Sequence, residues 1–114
     1  MDPRTAAHAL TRIAALLELR GEDRFKVRAY AGAARAVQAL DTDDLAPLLR
    51  DGTLETTPGV GPATLAVLRD LVETGDSALL DRLVEDTPEG LLEMLRIPGL
   101  GTAKIHAIHA GLGV

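Results

Sequence analysis

Two short segments of this chain have residue types and spacing suited to holding an anion. Pro58-Gly59-Val60-Gly61 reappears forty positions later as Pro98-Gly99-Leu100-Gly101, each time between a leucine-bearing segment and the predicted start of a helix. In such a tight hairpin the first glycine takes positive φ, the apolar residue plugs the turn into the core, and the second glycine opens the next helix. Unpaired backbone N–H groups and the positive end of the helix dipole then point at one external spot, a geometry that can hold a phosphate oxygen. Thr102 and Lys104 add a hydroxyl and a cation to the second copy. The first copy has Pro62, which lacks a donor, and the single hydroxyl of Thr64. The second hairpin is therefore the stronger phosphate candidate. Gly-apolar-Gly turns also join helices in protein-binding modules, and that reading stands beside the first.

Arg24, Arg28 and Arg35 fall within roughly 40° of one another at 100° per residue, which makes a basic stripe on one helix, and Arg20 lies just before it. The alternative for this stripe is a solvated surface with ion pairs to Glu22 or Asp23. Tyr30 is a stacking candidate but reads better as a core residue. Phe25 is the only other aromatic, so a platform of several rings for base stacking is excluded. His106 and His109 stand three apart on the last predicted helix, yet no carboxylate accompanies them there, and no metal site is expected. Neither glycine motif has the spacing of a phosphate-binding P-loop, and no strand precedes either as a dinucleotide fold requires.

The elements that must position these residues are all helical. Asp2-Pro3 opens a helix with Leu10, Ile13, Ala14 and Leu17 on one face, ended by Gly21. A second helix is expected from Asp23 to about Leu40 with an apolar stripe of Phe25, Ala29, Ala33, Ala36 and Leu40; Gly32 within it suggests a close helix crossing. Further helices are expected at about 43–50, 62–74, 76–85, 88–95 and 102–110, with Gly52 and Gly75 as stops. No segment alternates with period two, so the fold class is all-α.

The chain has 114 residues, enough for one domain or two small fused lobes, and 46% are hydrophobic, enough for a core. Without cysteine, disulfides, thiol catalysis and Cys-type zinc sites are excluded. No signal-peptide or bilayer-spanning pattern is present, which fits a soluble, cytoplasmic protein. The net charge is −5, but it is uneven. Residues 1–35 carry seven basic and four acidic side chains, net +3, and residues 36–114 five basic and thirteen acidic, net −8. Polyanion binding must then be local, weak and salt-sensitive, led by the second helix.

Several ordered segments carry a family resemblance. The stretch 13–22, Phe25-Lys26-Val27-Arg28-Ala29-Tyr30, Ala33-Ala34-Arg35-Ala36, both hairpins and 88–93 together resemble the N-terminal helix-hairpin-helix region of bacterial family X DNA polymerases, relatives of DNA polymerase beta. The resemblance covers nearly the whole chain. It implies a compact helical domain, with an N-terminal lobe at 1–52 and a tandem helix-hairpin-helix segment at 53–114, hairpins at 58–61 and 98–101. It also implies non-sequence-specific binding of gapped or nicked DNA in a repair protein whose polymerase and phosphoesterase domains follow downstream; the chain then reads as an excised portion or a truncated relative. The expected contacts are Gly59, Gly61, Gly99, Gly101, Thr102 and Lys104 at the hairpins and Arg24, Arg28 and Arg35 on the stripe. A monovalent cation on the first hairpin's carbonyls is implied by the resemblance alone, and no other cofactor is expected.

Some family members form a Schiff base with an abasic sugar through lysines after the first hairpin. Here Ala63 and Val67 stand at those positions, so the chain is not expected to be an enzyme; a residual lyase would need Lys26, Lys104 or the N-terminal amine. The family also places further basic residues after the tyrosine, where this chain has Ala31 and Gly32, so the basic patch is thinner.

Overall fold

The computed structural model describes residues 1–88 and residue 90. They form six helices and no strand, in agreement with the all-α expectation. The expected helices at 88–95 and 102–110 and the second hairpin lie outside the described residues.

Helix α1 (Pro3–Leu19) starts where the sequence predicts, with the Asp2 carboxylate accepting from the Thr5 N–H at 3.1 Å and Pro3 in the first turn. Gly21, at φ +74°, lets the chain leave it. Helix α2 (Arg24–Gln38) is capped by Asp23, whose carboxylate accepts from the Phe25 N–H at 2.8 Å. These two helices pack along each other and supply most of the core: Leu10, Ile13, Leu16 and Val37 have no solvent exposure. The face of α2 that they share is not the predicted one. Tyr30, Ala33, Ala34 and Val37 are buried, while Phe25 and Ala29 face solvent. Of the predicted stripe only Ala33 is fully buried, and the buried face is rotated by about one residue, roughly 100°. The two faces are close in apolar content, Phe25 and Leu40 against Tyr30 and Val37, and packing against α1 selects the second.

The next helix starts later than expected. The Asp44 carboxylate accepts from the Ala46 N–H at 3.1 Å, so residues 43–45 form a capped turn and α3 is only Ala46–Arg50. A one-turn helix α4 (Thr53–Thr56), absent from the sequence reading, follows Gly52 at φ +84° and buries Leu54 completely. Helix α5 (Pro62–Thr74) has the predicted bounds and ends at Gly75, φ +82°. Helix α6 (Ala78–Asp86) is capped by Ser77, whose hydroxyl accepts from the Leu80 N–H at 3.2 Å; Asp76 was the expected start. One apolar cluster joins α1 and α2 to Leu45, Leu54, Val67, Leu68, Leu71 and Leu83. The first hairpin is thus tied to the same core as the basic helix. None of the helices among the described residues is long and apolar enough to cross a membrane.

Candidate functional site

The first hairpin is a turn over 57–60. The Thr57 carbonyl accepts from the Val60 N–H at 3.1 Å, Pro58 holds the second position, and Gly59 the third at φ +95°. This is the pattern of a type II turn, in which the third residue requires positive φ. Val60 is half-buried against the core, the predicted plug. Thr64 then ties the turn to α5: its buried hydroxyl accepts from the Gly61 N–H at 2.8 Å and donates to the Gly61 carbonyl at 3.0 Å. The Gly61 and Val60 amides are thereby used inside the motif. The exposed donors without a partner among the described residues are the N–H groups of Gly59 and, in the first turn of α5, Ala63; Thr64 is buried.

The turn rests on α2. A Cβ built on Gly59 would lie 3.1 Å from the Ala36 Cβ and 3.5 Å from the Gly32 carbonyl oxygen. The sequence places a close approach at Gly32, yet a Cβ there would meet nothing within 4 Å. Crowding falls instead on Gly59 against Ala36, and the approaching element is a turn rather than a helix. Arg28 and Arg35 stand four residues before and three after Gly32, so both share its side of α2. The fold therefore brings the Gly59 turn and the basic stripe onto one side of one helix.

Arg24, Arg28 and Arg35 are all exposed, and none forms an ion pair among the described residues. Glu22, one of the acids expected to neutralise them, lies 4.0 Å from Lys26, and Asp23 is used as a helix cap. Arg20 does not join the stripe: it faces Asp86 of α6 at 3.8 Å. Tyr30 is 8% exposed, and its burial pushes the phenol pKa above the ordinary value, so it is a core residue with no face open to a base. The residue that the sequence reading missed is Phe25, assigned to the core but 77% exposed in the first turn of α2. A signal was present: Arg24 and Lys26 flank it, and a core stripe through Tyr30 leaves it outside.

No group of three or more His, Asp or Glu residues able to hold a metal ion occurs among the described residues. At the two positions expected to carry a lyase lysine in some relatives, Ala63 is exposed and Val67 is buried in the core. Lys26 is exposed beside Glu22, and the N-terminal amine donates to the Asp44 carboxylate at 3.2 Å. Gly99, Gly101, Thr102, Lys104, His106 and His109 lie outside the described residues.

A family model described as a helix-hairpin-helix domain matches residues 1–77 of this chain. The chain belongs to the helix-hairpin-helix domain family. The matched residues include the basic helix and the first hairpin, the two parts that the fold brings together. This helix-hairpin-helix chain is also 35% identical, over all 114 residues, to the N-terminal part of the DNA polymerase/3'-5' exonuclease PolX of Bacillus subtilis (strain 168). It spans 19% of that relative's length. The resemblance to the N-terminal region of bacterial family X polymerases is thus borne out along the whole chain.

Proposed function

We propose that this chain is a DNA-binding domain that grips backbone phosphates without reading base sequence, as part of a family X polymerase-like repair protein. The observation that carries this reading is the seating of the Gly59 turn on α2 beside Arg28 and Arg35, with the N–H groups of Gly59 and Ala63 exposed and without a partner among the described residues. Backbone donors at a helix start favour a phosphate oxygen, and guanidinium groups on the same side supply charge and bidentate hydrogen bonds. Such contacts fix position on DNA and carry no sequence information. The second hairpin, with Gly99, Gly101, Thr102 and Lys104, would give a second grip of the same kind. Gapped or nicked DNA is the proposed substrate, and the catalytic domains of the parent protein lie outside this chain.

Schiff-base chemistry needs a deprotonated amine in a partly desolvated pocket, and Ala63 and Val67 supply none. The carbonyls of Thr57 and Gly61 accept internal hydrogen bonds, whereas those of Pro58, Gly59 and Val60 accept none among the described residues. These last three are the oxygens to which a monovalent cation would bind.

Titrating the protein against gapped DNA over a range of salt tests the reading. Affinity should rise steeply as salt falls, because each phosphate contact releases condensed counterions. Absence of binding at low salt would overturn the proposal and favour a protein-interaction module in which the hairpins only shape the fold.

A further inference from the structure

Seven basic side chains give the first 35 residues their positive charge. Arg24, Arg28 and Arg35 form the stripe on α2, while Arg20 and Lys26 are paired with Asp86 and Glu22. The two left over are Arg4 and Arg12, both exposed on α1 and neither in an ion pair among the described residues. His8 stands exposed midway between them. Intervals of four residues set the three side chains in one row, with about 6 Å of helix rise per step. The exposed surface of α1 around the row holds Thr5 and Thr11 and no large apolar side chain. One end of the row meets the α2 stripe: Arg4 lines a surface pocket with Gln38, which lies one turn beyond Arg35. At the opposite end of the helix pair Glu18 and Glu22 stand beside Arg24 and Arg28, so the two basic rows are joined at the Arg35 end alone.

We propose that Arg4, His8 and Arg12 form a second phosphate-contact row, onto which the DNA backbone passes from Arg35. This rests on the DNA-binding reading and extends it from α2 to α1. A protein partner would need apolar area to bury at the centre of its interface, and this face offers almost none. A sugar-phosphate backbone needs only cations and donors at intervals along its path. Carboxylates mark the edges of the row: Asp2 and Asp43 share the pocket of Arg4, and Asp76 and Asp81, from the α5–α6 turn and α6, share one with His8 and Arg12. The Asp2 carboxylate is used as the cap of α1, and none of the four pairs with the row. Asp76 and Asp81 therefore weaken the attraction of the row for a polyanion without cancelling it, and their removal gives a test of opposite sign.

The experiment measures binding of the full chain to gapped DNA over a range of salt for wild type, Arg4→Gln/Arg12→Gln, His8→Gln and Asp76→Asn/Asp81→Asn. All five positions are exposed, so circular dichroism should show every variant folded. Arg4→Gln/Arg12→Gln should bind more weakly, and its plot of log affinity against log salt should flatten by about 2, one for each lost phosphate contact. Asp76→Asn/Asp81→Asn should bind more tightly than wild type, and that gain should disappear when Arg4 and Arg12 are replaced as well. Between about pH 8 and pH 6 affinity should rise more for wild type than for His8→Gln, because a phosphate favours the protonated imidazole. Unchanged affinity and slope in Arg4→Gln/Arg12→Gln, with His8→Gln following the wild-type pH curve, would overturn this inference and leave the grip on α2 standing. Failure of the wild type to bind DNA at low salt would overturn the underlying reading and this inference together.

Discussion

Gly59 combines two constraints that can be separated by substitution. Its φ of +95° is unfavourable for any L side chain, and a methyl group there would press on the Ala36 Cβ at 3.1 Å. Gly59→Ala should destabilise the domain by about 1–3 kcal/mol, from backbone strain and overpacking. Adding Ala36→Gly removes the steric part but not the backbone part, so chemical denaturation of both variants should show partial rescue beyond the cost of Ala36→Gly alone. Asp44 offers a different test. The Ala46 N–H first, and the N-terminal ammonium second, hold its carboxyl below the ordinary value of 3.8. A lowered pKa contributes stability that is present above 3.8 and lost as pH falls through the lowered value. Asp44→Asn should therefore melt below wild type at neutral pH, and the difference should shrink as melts are taken further into acid. Asp2 and Asp51, lowered by hydrogen bonds from Thr5 and Thr53, add to acid sensitivity in the same direction.

At the scale of elements, the start of α5 depends on one hydroxyl. Thr64→Val keeps the shape of the side chain and leaves the Gly61 amide without its 2.8 Å acceptor. Because Gly61 is exposed and its amide can turn to water, a loss of about 0.5–1.5 kcal/mol is expected, with Thr64→Ser close to wild type by thermal denaturation. The ends of α1, α2 and α5 were legible in the sequence because caps and glycines act locally: Asp2-Pro3, Asp23, Gly21 and Gly75 each need only their neighbours. Rotation of α2 was not, because Ala-rich sequence presents several near-equivalent faces, and only contact with α1 chooses the one through Tyr30 and Val37. Helix α4 was missed because a single turn has no period to detect; Leu54 holds it by burial. The same limit applied to the site. Both the hairpin glycines and the arginine stripe were readable as patterns, but the seating of the Gly59 turn on the side of α2 that carries Arg28 and Arg35 is a tertiary fact.

For the whole molecule, the proposed function requires that a chain of net charge −5 hold a polyanion. Its first 35 residues are net positive, and the fold sets the Gly59 turn directly on the helix that carries this charge. Long-range repulsion from the acidic remainder is screened at physiological salt, where the Debye length is about 8 Å, while close phosphate contacts of the proposed kind would persist. Affinity should then depend on a few arginines rather than on total charge. The most direct measurement is the salt dependence of binding to gapped DNA for wild type and for Arg28→Gln/Arg35→Gln. If both guanidinium groups contact phosphates, the double variant should bind more weakly, with a slope of log affinity against log salt shallower by about 2. An unchanged slope with unchanged affinity would contradict the phosphate grip on α2.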